Sequence, residues 1–323
     1  MTDMDYVYAV ARIRSKEQSL FSGAVIEQLL GRPDYESCVS FLIEKGWGSA
    51  DTPRDGDAIL AREREKTWED IRQLTPDLSV FELLDYPNVF HNLKAAITAV
   101  CTKTDRDHIF YKDTSPSPKE ILLAVQEKNF VSLPEYMRDA AREAFETLLR
   151  TKDGQLCDVI VDRAALEAIY QAGKNAKTPV LKDYAREVVS CADIRIAARC
   201  ARMGKTYSFI AQALAPCDAL DREQLVQAAA QGEQELYRYL DGTAFQGAVR
   251  ALEVSLSEFE RWCDNQMMEA MKPQKYNPFS PGPLVAYVLA RENEIKTVRI
   301  ILSGKRTGMP EDKIRERVRE MYV

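Results

Sequence analysis

Apolar residues recur along most of this chain at helical spacing. In "EYMRDAAREAFETLLRT" (135–151), Tyr136, Ala140, Ala144 and Leu148 make one stripe, and "DREQLVQAAAQGEQELYRYL" (221–240) and "ALEVSLSEFERWCDNQMMEAM" (251–271) behave the same way. Period-two alternation is rare. Only "QLCDVIVDRAALEAIY" (155–170) lets a strand compete before its pattern turns helical. The pattern therefore predicts an all-α fold. Three stretches rich in Gly or Pro interrupt it: "KGWGSADTPRDGD" (45–57), "TSPSPK" (114–119) and "KPQKYNPFSPGP" (272–283). The first and third read as loops inside a module, the second as a module boundary. "AREREKTWEDIR" (61–72) and "EDKIRERVRE" (311–320) place Glu and Arg three and four apart, which predicts solvated helix faces.

One pattern occurs three times. "HNLKAAITAV" (91–100), "ADIRIAARCA" (192–201) and "ENEIKTVRIIL" (292–302) align without gaps. Asn92-Leu93-Lys94, Asp193-Ile194-Arg195 and Glu294-Ile295-Lys296 lie 193 − 92 = 101 and 294 − 193 = 101 residues apart. Each copy reads polar acceptor, branched aliphatic, cation. The match continues along a helical seam: Leu93, Ala96 and Val100; Ile194, Ala197 and Ala201; Ile295, Val298 and Leu302. A tyrosine precedes each copy, at Tyr86, Tyr184 and Tyr287. A period of this kind predicts three helical modules, over 1–116, 117–218 and 219–323. They either stack as a solenoid or close around a pseudo-threefold axis as a funnel with a central polar cavity.

In the closed arrangement, Asn92, Lys94, Asp193, Arg195, Arg199, Glu294 and Lys296 line that cavity and offer a partner-binding ring. Spacing alone fits a second placement equally, in which these are flank charges left by duplication. The first copy departs at Thr98, the position matching Arg199.

Composition narrows the function classes. A chain of 323 residues exceeds one typical core, and 46% apolar with 29% charged residues argues for a globular protein. Lys and Arg number 44 against 50 Asp and Glu, so a net charge of −6 gives no electrostatic footprint for nucleic acid. The seven cysteines are scattered without a C-x-x-C pair, which points to buried thiols in a reducing compartment. No apolar run reaches the roughly 20 residues that span a bilayer. "MTDMDYVYAVARIRSKEQ" is broken by charge before any signal-peptide core forms.

Candidate chemistry is sparse, and no cofactor, metal or catalytic group is expected. The two histidines, His91 and His108, belong to no metal-ligand spacing, and His91 reads as a structural hydrogen-bonder. "MGKTYS" (203–208) lacks the first glycine of a phosphate loop, because Arg199 stands there. In "SGKRTG" (303–308), Gly304 reads as a helix C-cap. A helical enzyme would need carboxylates of shifted pKa converging in a cleft, and the sequence nominates no such pair.

With the first helix and the repeats combined, the chain resembles the C subunits of the archaeal and bacterial V/A-type rotary ATPases, a family related to the d subunit of the eukaryotic vacuolar enzyme. The residues carrying the likeness are "YVYAVARIRSKEQSLFS" (6–22), the three repeat segments, and above all "PGPLVAYVLARENEIKTVRIILSGKRTGMPEDKIRERV" (281–318). The family's C-terminal signature pairs a Tyr-bearing helix with an E-x-x-N/K-I-R-x-I-x-x-G-K run, and Tyr287 to Lys305 is similar to it. The resemblance implies an all-α, non-catalytic coupling component of three modules in a funnel. Its expected partners are the rotor axle (the D and F subunits) and the membrane proteolipid ring, with the ATPase head reached indirectly. It would sit peripherally on the cytoplasmic side of the membrane. The competing expectation is a free-standing helical repeat scaffold for an unrelated soluble partner.

Overall fold

The computed structural model describes residues 5–75, 78–104 and 109–323. Among them there are helices and turns and no strand. In chain order the helices are α1 (Asp5–Glu17), α2 (Gly23–Leu30), α3 (Tyr35–Glu44), α4 (Gly56–Leu74), α5 (Glu82–Thr102), α6 (Pro118–Gln126), α7 (Glu135–Thr151) and α8 (Gly154–Asn175). There follow α9 (Pro179–Arg202), α10 (Tyr207–Ala213), α11 (Arg222–Gln231), α12 (Glu233–Asp241), α13 (Gln246–Val254), α14 (Leu256–Met271), α15 (Gly282–Arg306) and α16 (Glu311–Arg315). Residues 155–170, where a strand competed, lie inside α8. No helix among the described residues is long and apolar enough to cross a membrane.

Local chemistry sets the helix starts. Asp34 accepts the Ser37 amide and Ser37 returns a bond to Asp34, a capping box opening α3. Ser117 and Glu120 do the same for α6, with Pro118 in its first turn. Single side-chain caps from Asp55, Asp153, Thr206, Asp221 and Ser255 open α4, α8, α10, α11 and α14.

The chain forms two compact units. Unit 1 is Met1–Val80, Thr178–Leu181 and Arg250–Val323; unit 2 is Phe81–Lys177 and Lys182–Val249. In unit 1 the C-terminal α15 packs against α4, α1, α3 and α2, elements from the other end of the chain. Ile295, Val298, Ile301 and Leu302 enter one core with Leu29, Leu30, Val39, Leu42, Trp47, Ile59 and Leu60. In unit 2, α5 packs against α6, α7 and α8, and Phe90, Leu93, Ala96 and Ile97 share a core with Ile121, Val125, Met137, Ala144 and Val161.

The end of α15 differs from the expected cap. Gly304 lies within the helix, and the left-handed residue is Gly308 (φ 67°). The Met309 amide donates to the Gly304 carbonyl and the Gly308 amide to that of Lys305, a Schellman closure. Gly304 serves packing instead, since a Cβ there would stand 2.6 Å from Ile314 Cγ1 of α16. Gly→Ala inside a helix otherwise gains about 1 kcal/mol. Gly304→Ala is therefore expected to lower stability by about 1–3 kcal/mol through overpacking. Thermal melting checks this, and the loss should shrink when Ile314→Val is added.

The charge-dense stretches are only partly solvated. On α4, Glu63 and Thr67 are buried, and near the C-terminus Ile314 and Arg319 are buried too. Their partners lie far away in the chain, so local spacing could not disclose them.

Candidate functional site

The three repeat segments fall on the three longest helices of their regions, α5, α9 and α15, and their seams are apolar contacts as expected. Leu93, Ile194, Ile295, Ala96, Ala197, Val298 and Leu302 are buried, while Val100 and Ala201 are half-buried. Tyr184 and Tyr287 are buried and Tyr86 is half-buried.

The polar acceptors share one role. Asn92 is 0%, Asp193 3% and Glu294 0% exposed. Each takes a backbone amide from a segment that leads into another helix. Asn92 Oδ1 accepts the Tyr111 amide at 2.9 Å, seven residues before α6 begins at Pro118. Asp193 Oδ1 accepts the Ala215 amide at 3.0 Å, seven residues before α11 begins at Arg222. Glu294 Oε1 accepts the Phe21 amide at 2.5 Å, two residues before α2 begins at Gly23. A backbone amide buried without an acceptor costs the desolvation of a full hydrogen-bonding group. Each repeat residue thus clasps the lead-in to a helix onto a long helix.

The surroundings of the three clasps differ in charge. Asn92 is neutral and also donates from Nδ2 to the Tyr111 carbonyl and to Thr114 Oγ1, both at 2.9 Å. Glu294 is paired with Arg291, one turn earlier on α15. The Arg291 guanidinium also donates to Glu63 Oε2 at 2.5 Å and to Thr67 Oγ1 at 3.3 Å, and lies 5.3 Å from the centre of the Trp47 ring. Glu63 Oε1 in turn accepts the Gly48 amide at 2.9 Å and Lys66 Nζ at 2.6 Å. Burial pushes the Glu294 carboxyl up, opposed by Arg291 and the Phe21 amide. Asp193 forms no ion pair with a described residue, and burial pushes its carboxyl up to about 7.

The cations two residues further on reach more open positions. Lys94 is half-buried and pairs with Asp162 on α8 at 2.6 Å. Lys296 is exposed and pairs with Asp264 on α14 at 2.5 Å, a carboxylate that Arg319 shares at 2.8 Å. Arg195 is half-buried and Arg199 exposed. His91 donates from Nε2 to the Ile109 carbonyl at 2.9 Å, the structural role its position suggests; His108 lies outside the described residues. Glu63, Asp264 and Arg319 carry no mark in the sequence of the partners they meet. Arg291 alone carried a signal, its three-residue spacing from Glu294.

In unit 2, a cleft of about 720 Å³ is lined by Glu82, Asp85, Glu120, Tyr86, Tyr136 and Arg138, among others. Tyr86 and Tyr136 stack with ring centres 4.5 Å apart. Burial pushes both hydroxyls up, and bonds from Ser117 hold Glu120 below the usual carboxylate range. These shifts make the phenols poorer bases at neutral pH and Glu120 a poorer proton donor, opposite to the tuning an acid–base pair needs.

Comparison with known proteins is consistent along the whole chain. The family described as ATP synthase (C/AC39) subunit matches residues 9–317. The C subunit of the V-type sodium ATPase of Enterococcus hirae is 23% identical over 326 residues, covering 99% of this chain and 99% of that protein. The C subunit of the V-type ATP synthase of Thermus thermophilus is 21% identical over 323 residues, covering 97% and 98%. The C subunit of the A-type ATP synthase of Haloquadratum walsbyi is 36% identical over 63 residues, 19% of this chain.

Proposed function

The chain belongs to the ATP synthase (C/AC39) subunit family, and from that membership we propose that it is a non-catalytic central-stalk subunit of a V/A-type rotary ATPase. In this reading it couples the rotor axle, made of the D and F subunits, to the membrane proteolipid ring, and rests peripherally on the cytoplasmic side. The observation that carries it is the end-to-end match to relatives whose names place them in V-type enzymes.

The repeated clasp supports the further proposal of three similar modules, 1–116, 117–218 and 219–323, closed pseudo-symmetrically into a funnel. Torque passes through a part only if it is stiff. Buried acceptors at Asn92, Asp193 and Glu294 tie each long helix to a neighbouring segment, and the small residues Ala96 and Ala197 bring backbones close. The buried acceptors then hold the helices in place, while Lys94, Arg195, Arg199 and Lys296 meet acidic or carbonyl groups of the axle. Complementary charge of this kind fixes register and orientation.

Affinity purification of the tagged chain from mildly solubilised membranes tests the assignment. Recovery of axle, proteolipid and ATPase head together is expected; soluble partners alone would overturn it. Charge reversal tests the cation assignment. Arg195→Glu with Lys296→Glu is expected to weaken binding of the purified axle by about tenfold or more, some 1.4 kcal/mol. Lys296 itself is exposed, and Asp264 keeps Arg319 when it is replaced, so its pair contributes only about 0.2–1 kcal/mol to the fold. Unchanged axle affinity in a variant with a normal melting curve would refute the contact.

A further inference from the structure

The same structural task, clasping a backbone amide onto a long helix, is met in three ways along this chain. At Asn92 the acceptor has no charge. At Glu294 a charge is countered by Arg291 against it. At Asp193 neither holds: the side chain is 3% exposed, and no ion pair with a described residue offsets it. We propose that Asp193 is a proton-operated latch within unit 2, holding the Ala215 segment against α9 while protonated and releasing it as the carboxyl ionises.

Burial is the largest influence on Asp193 and opposes ionisation, against the Ala215 amide, which by itself favours the carboxylate. Release on ionisation therefore follows from the cost of burying the charge and not from loss of the hydrogen bond. From α11, Arg222 favours the ionised form, but its guanidinium is directed to backbone carbonyls, at 3.2 Å to Leu214 and also to Ala211. From α8, Glu167 opposes ionisation. Cys217, in the clasped segment, is a thiol that burial pushes up and so stays uncharged. On α9 itself, burial also pushes the Glu187 carboxyl up. An isolated buried carboxylate relieves its desolvation by taking up a proton or by admitting water. The segment after Ala215 is exposed at Pro216 and Asp218. Beyond the Asp193 bond it is tied by the Asp218 amide to the Tyr170 hydroxyl at 3.1 Å and by Cys217 to Ser190 at 3.3 Å, so release means opening these contacts too.

The direction with pH follows from linkage. A protein carboxyl of pKa about 7 in the closed form, against about 3.9 once solvated, holds tightest at low pH and loosens as pH rises. Opening should therefore increase about tenfold per pH unit between roughly pH 5 and 7, then level off as the closed form itself ionises.

Hydrogen exchange of the full chain, followed in peptides spanning Ala215 and corrected for base catalysis, tests this. The wild type should show that rise and plateau, and Asp193→Asn should remove it. In Asn92→Asp, a pH dependence of the same sign should appear at the Tyr111 amide. Exchange at Ala215 that ignores pH, or equal slopes in wild type and Asp193→Asn, would overturn the latch. Should Asp193→Asn fail to fold, the infrared carbonyl stretch of a protonated carboxylic acid in the wild type, to which Glu187 and Glu294 also contribute, is read for a component lost as the rise in exchange at Ala215 levels off. Presence of that component at pH 6 and its loss by pH 9 are expected, and its absence at pH 6 would overturn the proposal.

Discussion

Replacing Arg291 with methionine is expected to destabilise unit 1 by about 3–5 kcal/mol, enough to unfold it or leave it marginal. The change keeps most of the side chain's volume, so the effect reads charge and hydrogen bonding. Without the guanidinium, Glu63 and Glu294, both under a tenth exposed, lose the cation they share, and among the described residues Lys66 is the cation still paired with Glu63. Breaking one member of a buried ionic set strands the others, whereas replacing the set together is close to neutral. Adding Glu63→Gln and Glu294→Gln to Arg291→Met should therefore recover most of the loss. Trp47, Trp68 and Trp262 are the only tryptophans in the sequence, and all belong to unit 1. Urea unfolding followed by tryptophan fluorescence thus reports on this unit. Equal destabilisation in the single and triple variants would refute the argument.

The second large effect is expected in unit 2. Asn92→Ala removes one acceptor and two donor contacts at once, those to the Tyr111 amide and carbonyl and to Thr114. A buried group that loses its partner costs about 1–3 kcal/mol, less at Tyr111, which is exposed and open to water. Thr114 still donates to the Pro116 carbonyl, so its loss is partial. The expected cost is about 2–4 kcal/mol, with faster amide exchange concentrated at 109–117. No tryptophan lies in unit 2, so far-ultraviolet circular dichroism and exchange are the measurements to use. A variant melting within about 1 kcal/mol of wild type would show that the clasp contributes little.

Helix content was legible because stripes such as Ala144 and Leu148 follow the helical period, and the seams on α5, α9 and α15 followed from the repeat. The placement of Asn92, Asp193 and Glu294 was not legible. Their partners are main-chain amides at Tyr111, Ala215 and Phe21, and an amide leaves no trace in residue identity. Glu63 was hidden differently. Its neighbours on α4 form surface pairs, Arg62 with Glu65 and Glu69, so it shares their spacing while pointing at an arginine 228 residues away. Gly304 was misread because a glycine near a helix end fits both a cap and a close contact, and the Ile314 contact is tertiary.

Unit 1 joins the first helices of the chain to one of the last. During synthesis the N-terminal segment leaves the ribosome long before α15 exists, and its half of the core, Leu29, Leu42 and Leu60 included, waits without a lid. A product truncated before Glu294 keeps that exposed apolar surface permanently. Chains that stop short of α15 thus leave uncovered the apolar surface that Ile295, Val298, Ile301 and Leu302 close.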